Sequence, residues 1–143
     1  AMMEAAMKGC QEALPNTKIL GVSYLTSLGP QDLSSLYGVE KNEISNAFER
    51  LFSLALQNKL DGVELSAHEL NLVRSLEEDH DHSLIKVCPG IRFPDEIEHS
   101  TTHDQQRVLS PSAAISNGAD YMVIGRSLTA SNNLEERLTE LSR

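Results

Sequence analysis

Asp61-Gly62-Val63-Glu64-Leu65-Ser66 is a compact, mostly apolar run, and it passes straight into Ala67 to Leu76, where Leu70, Val73 and Leu76 recur at helical spacing. A strand that hands over to a helix within a residue or two is a building block of parallel α/β folds. The same order recurs on both sides of this stretch. Upstream, Lys18 to Leu25 reads as a strand covered on both faces and ending at Thr26-Ser27. A Gly-Pro turn, a short helix from Gln31 to Tyr37 and a strongly amphipathic helix from Asn42 to Lys59 follow it. Downstream, Leu84 to Cys88 is a third strand stopped by Pro89-Gly90, and Tyr121 to Ile124 is a fourth, closed by Gly125-Arg126.

The remaining segments fit between these. Met3, Ala6, Met7, Cys10 and Leu14 mark an amphipathic helix over residues 1 to 14, which Pro15 stops. Ser110-Pro111 pairs an N-cap with proline at the first helical position, opening a short helix that ends near Asn117-Gly118. Asn133 to Leu141 forms the last helix, and the polar stretch from Phe93 to Arg107, which has no periodicity, reads as a long loop.

Four strand-then-helix units in succession imply an α/β fold with a parallel sheet and right-handed crossovers. A doubly wound sheet would carry a glycine-rich phosphate loop after its first strand, and neither G-x-G-x-x-G nor G-x-x-x-x-G-K occurs in the chain. The units therefore predict the second half of a TIM-type (β/α)8 barrel, with residues 1–143 as one half-barrel. Half a barrel leaves two unpaired edges and an uncovered inner face, so something must complete it.

At 143 residues the chain has room for one core, and its 40% hydrophobic and 23% charged residues are those of a folded soluble domain. Aromatics are only 4%, without tryptophan, and the net charge is -9, which argues against nucleic-acid binding. A phosphate site must then be a local cluster of arginines and its ligand small. Cys10 and Cys88 match no metal or redox spacing and are expected as free thiols. No apolar run is long enough to span a membrane, and the first residues do not read as a signal peptide, so a cytoplasmic protein without membrane attachment is expected.

The strongest local chemical signal is Val123-Ile124-Gly125-Arg126-Ser127, a buried strand released into a glycine and an arginine. Glycine lets backbone approach a ligand oxygen, and a guanidinium offers phosphate a planar fork. Arg92, just after Pro89-Gly90-Ile91, ends the preceding strand, so both arginines fall on the rim where barrels commonly hold phosphate.

Five runs now stand in order: Leu25-Thr26-Ser27-Leu28, Asp61-Gly62-Val63, Pro89-Gly90-Ile91-Arg92, Asp104-Gln105-Gln106-Arg107-Val108, and Gly118 through Arg126. Together they resemble the C-terminal half of the orotidine 5'-monophosphate decarboxylase family, along essentially the whole chain. The resemblance implies a dimeric (β/α)8 barrel that uses no metal or organic cofactor and makes uridine monophosphate in pyrimidine biosynthesis. It implies that Arg92, Gln105 and Arg126 hold the phosphate, with the Gly125 and Arg126 amides assisting, and that Thr26 and Ser27 face the pyrimidine. The segment from Phe93 to Asp104 resembles the family's phosphate-gripping lid, although Phe93-Pro94-Asp95-Glu96-Ile97-Glu98-His99 departs from the commoner small, glycine-containing version.

The family's Asp-x-Lys-x-x-Asp run is missing, since no lysine here has aspartate two residues before it. No catalytic residue is therefore expected in this chain, which alone should be inactive. Lys86 is expected to be a strand lysine whose head reaches solvent rather than a substitute acid. Asp79-His80-Asp81-His82 reads as a solvated turn, and His99 and His103 lack the shared helical face a metal would need. Glu64 is either an inner-barrel residue or part of a polar layer. Two other functions remain open: another phosphate-binding barrel of the same suprafamily, which would lack the Thr-Ser base contact, and a non-catalytic ligand-binding fragment.

Overall fold

In the computed structural model, which describes residues 1–99 and 105–142, four short strands form one parallel sheet. They are β1 (Leu20–Val22), β2 (Gly62–Glu64), β3 (Ile85–Cys88) and β4 (Tyr121–Met122), and their spatial order is their sequence order. Each crossover steps to the adjacent strand without the reversal that defines a doubly wound sheet. This is the winding of a barrel, and the fold is α/β as expected.

The helices are α1 (Met2–Ala13), α2 (Pro30–Tyr37), α3 (Ile44–Gln57), α4 (Leu70–Glu77), α5 (Pro94–Glu98), α6 (Pro111–Ser116), α7 (Arg126–Thr129) and α8 (Leu134–Leu141). Phe48, Phe52 and Ala55 of α3, Leu70 and Val73 of α4, and Ala114 of α6 are buried with Val63, Leu65 and Cys88 in one core. The core thus lies between the helices and one face of the sheet. The α6 cap is as expected, with Ser110 Oγ accepting from the Ala113 amide at 3.3 Å.

The register exposes the other face. Val22, Glu64, Val87 and Tyr121 align in one row across the four strands. Val22 is 60% and Tyr121 62% exposed, so this row, which includes Glu64, faces outward from the helical core. In a closed barrel such a row points inward. β1 and β4 each pair on one side only, among the described residues.

Asp61-Gly62 works as a unit at the foot of the sheet. Asp61 accepts from Lys18 Nζ at 2.8 Å and from the Ile19 amide at 2.9 Å, tying β1 to β2. Gly62 is obligatory because a Cβ there would stand 2.3 Å from the Ile85 carbonyl oxygen.

Three expectations need correction. The strand read from Lys18 to Leu25 is not covered on both faces, since Val22 in β1 is 60% exposed. The segment after Arg92 does not begin as a loop: Pro94–Glu98 forms α5. Pro94 supplies the first-turn proline, and the Glu96 carboxylate accepts from the Phe93 amide at 3.0 Å, a capping arrangement too short to register as periodicity. Residues 100 to 104 of the segment expected as a lid lie outside the described residues. Lys86 does not reach solvent either. It is in register with buried Val63, is 8% exposed, and its Nζ meets Glu77 at 2.9 Å and donates to the Leu84 carbonyl at 2.9 Å. A lysine facing the helical layer stays there only when paired, and α4 provides the carboxylate.

Candidate functional site

The strands end at a common rim, and the chain turns sharply there. Gly90, after β3, has φ +75, and a Cβ on it would lie 3.1 Å from the Arg107 carbonyl, 3.3 Å from Gln105 Oε1 and 3.4 Å from Thr26 Cβ. Only glycine lets the turn after β3 nest against the segment after β1. There the Thr26 hydroxyl donates to Gln105 Oε1, and the Thr26 carbonyl accepts from the Gln106 and Arg107 amides, each at 3.2 Å.

Thr26, Ser27, Arg92, Gln105, Gly125 and Arg126 all line one cleft of about 310 Å³ at this rim. Glu64 and Val123 also line it. Arg126 and Gly125 are exposed, and a Cβ on Gly125 would meet nothing within 4 Å, so its backbone stands open to the cleft. Arg92 is the contrary case. It is 4% exposed, its Nη1 donates to its neighbour Ile91's carbonyl at 2.8 Å, and its buried Nε has no hydrogen-bond partner. A buried guanidinium with an unmet donor and no carboxylate partner among the described residues is costly unless an anion joins it. Larger concavities exist beside α2 (≈ 560 Å³) and at the N-terminal ends of β3 and β4 (≈ 500 Å³), but neither is lined by an arginine.

The profile of the orotidine 5'-phosphate decarboxylase / HUMPS family matches residues 1–141. The chain belongs to that family. A Coxiella burnetii protein named orotidine 5'-phosphate decarboxylase is 38% identical over 134 residues, which make up 92% of this chain and 53% of that protein. A Laribacter hongkongensis protein of the same name is 36% identical over 141 residues, 99% of this chain and 54% of its own length. The chain thus spans about half the length of the curated family members it matches. Among solved structures, an uncharacterized conserved protein from Geobacillus kaustophilus superposes with a TM-score of 0.66 at 25% identity over 99% of this chain and 56% of its own. The orotidine 5'-phosphate decarboxylase from Lactobacillus acidophilus, at 22% identity and a TM-score of 0.67, shares the fold.

Within this family member, Arg107 has a role that its sequence run did not disclose. Its Nη1 pairs with Glu69 at 2.7 Å, its Nη2 donates to the Tyr24 and Leu25 carbonyls at 2.7 and 3.2 Å, and its guanidinium lies 4.8 Å from the Phe48 ring centre. Ser66 Oγ donates to the Arg107 carbonyl at 3.2 Å. One side chain braces the segments after β1 and β2, directly beneath Thr26. Burial raises the Glu69 carboxyl above its usual range, against the opposing pull of Arg107.

The other candidates resolve as structure. His80 Nδ1 donates to the Leu76 carbonyl at 2.9 Å and His82 Nε2 to the Leu60 carbonyl at 2.6 Å, which holds the Asp79 to His82 turn. His99 Nδ1 donates to the Asp95 carbonyl at 2.6 Å, and His103 lies outside the described residues. Among the described residues no group of three His, Cys, Asp or Glu side chains could hold a metal, and no helix is long and apolar enough to cross a membrane. Cys10 and Cys88 are free, and burial pushes the Cys88 thiol up to about 12. Lys86 sits on the helix-facing side of β3, away from the cleft.

Proposed function

We propose that the chain is the C-terminal half of a (β/α)8 barrel that decarboxylates orotidine 5'-monophosphate to uridine 5'-monophosphate. In this reading Arg92, Gln105 and Arg126 hold the 5'-phosphate with help from the Gly125 and Arg126 amides, and Thr26 and Ser27 meet the pyrimidine. The observation that carries it is Arg92, a nearly buried cation whose Nε lacks an acceptor inside a cleft shared with a second guanidinium. A phosphate dianion in the cleft supplies the countercharge that the buried guanidinium lacks. The two curated relatives above, both named orotidine 5'-phosphate decarboxylase, support the substrate.

The charges that would act on the scissile carboxylate, and the lysine that would protonate the resulting vinyl carbanion, come from the other half of the barrel. This half contributes remote binding energy, which accelerates chemistry only as far as it is expressed in the transition state. The reading extends to a homodimeric, cytoplasmic enzyme that uses no metal or organic cofactor and binds neither nucleic acid nor membrane.

Complementation tests it. The chain alone should release no carbon dioxide from orotidine 5'-monophosphate above background, and adding a family member's N-terminal half in trans should restore turnover. Turnover by the chain alone would mean that a residue here supplies the proton, and a folded complex that neither turns over nor binds uridine monophosphate would sink the reading.

A further inference from the structure

Ser127, immediately after the Gly125-Arg126 turn, is 1% exposed, and its hydroxyl donates to Glu96 Oε1 at 3.0 Å. Glu96 Oε2 accepts from the Phe93 amide at 3.0 Å and from Arg137 Nη1 at 3.1 Å. Arg137 also donates through Nη1 to the Ser127 carbonyl and through Nη2 to Asp95 at 2.9 Å, and its guanidinium lies 4.6 Å from the Phe93 ring centre. One buried carboxylate therefore joins α5, α7 and α8. Taking such a group out of water is expensive, and only full pairing makes it tolerable.

Among the described residues lining the cleft, none belongs to this network, so direct contact with a ligand there does not account for it. What the network does hold is the backbone on either side of the cleft. Arg92 precedes Phe93 and Arg126 precedes Ser127, so each cleft arginine stands one residue from an atom bonded to Glu96. The chain next to both arginines is thereby tied to a single side chain.

We propose that Glu96, held by Arg137, is a positioning residue that sets Arg92 and Arg126 at the spacing a phosphate requires. The proposal rests on the reading of the cleft as a phosphate site. It assigns a purpose to the Phe93–His99 stretch, whose helix gives the carboxylate its reach to Ser127.

The test is calorimetric binding of uridine monophosphate and of uridine to the chain, with the complementing barrel half supplied in trans. Glu96→Gln should weaken uridine monophosphate binding roughly tenfold, because misplacement by a fraction of an ångström is enough to blunt a two-arginine grip, and should leave uridine unchanged. Ser127→Ala, which deletes only a hydroxyl and so leaves little risk to folding, should lower it by about threefold in the same selective way. The deciding measurement is a double-mutant cycle with Arg126→Ala. A residue that acts by placing Arg126 loses its effect when Arg126 is gone, so Glu96→Gln should then cost less than about twofold. Fully multiplicative losses, or unchanged uridine monophosphate binding in both Glu96→Gln and Ser127→Ala, would overturn the proposal while leaving the phosphate reading intact. A parent protein that binds uridine as well as its monophosphate would overturn the phosphate reading itself, and the positioning role with it.

Discussion

Arg107 and Glu69 meet at 2.7 Å in a mostly buried ion pair that lies beneath the segment carrying Thr26 and Ser27. Removing one partner of such a pair strands the other in a place with little water, which is more damaging than losing an exposed bridge. Arg107→Ala is therefore expected to destabilise the chain by about 3 kcal/mol in a denaturant titration. Arg107→Lys keeps the charge but cannot reach Glu69 and two carbonyls with one planar fork, so it should recover less than half of that loss. A lysine variant as stable as the parent would show that charge alone matters there.

The two cleft arginines should respond in opposite ways. Arg126 is exposed, and Arg126→Ala should leave stability almost unchanged while weakening uridine monophosphate binding by roughly one to two orders of magnitude, the equivalent of about 1.5 to 3 kcal/mol. Arg92 carries an unmet buried donor, so Arg92→Met should weaken the same binding and yet stabilise the ligand-free chain by about 1 kcal/mol. Parallel melting and calorimetry on both variants would show the contrast. A destabilised Arg92→Met would mean that its bond to the Ile91 carbonyl outweighs the unmet donor.

The glycine and arginine at each strand end mark Arg92 and Arg126 in the sequence, and both line one cleft. The helix start at Ser110-Pro111 is legible because its role is local and so is written in neighbouring residues. Lys86 is the opposite case. Its burial depends on Glu77, brought near only when α4 folds back along β3. Arg107 is further from legibility still, since it reaches Glu69 across 38 residues and Tyr24 across 83. Helix α5 fell between the two cases. Five residues are too few to show a period, although Phe93-Pro94 with Glu96 behind it is a helix start in miniature.

The exposed row of the sheet favours association. Val22 at 60% and Tyr121 at 62% exposure lie on the two strands that pair on one side only, and Val123, just after β4, is 50% exposed, a combination that favours association. Sedimentation of the isolated chain should show dimers or larger species at micromolar concentration, and adding the N-terminal half should replace them with a single complementary assembly. Replacing Val22 and Tyr121 together by lysine should return the isolated chain to a monomer and abolish complementation. A parent chain that stays monomeric at high concentration would argue that the inner face is satisfied in some other way.

Acid should act on the sheet through Asp61 and on the brace through Glu69, with opposite signs. Hydrogen bonds from Lys18 and the Ile19 amide hold the Asp61 carboxyl below its ordinary 3.8. The folded chain then binds its proton less readily than the unfolded chain, so this contribution is complete above pH 3.8 and is lost as pH falls toward the depressed value. Burial raises Glu69 above its ordinary 4.5, so the folded chain holds that proton longer, and stability declines as pH climbs from 4.5 toward the raised value. Urea midpoints between pH 3 and 7, compared between the parent and single variants, separate the two contributions. Asp61→Asn should flatten the slope below pH 3.8 and leave the upper slope alone. Glu69→Gln should flatten the slope above 4.5 whatever it does to absolute stability, because a neutral amide has no proton to hold. The two effects are separable by sign, and a Glu69→Gln chain that kept the parent's upper slope would mean that the brace is charged on both sides throughout this range.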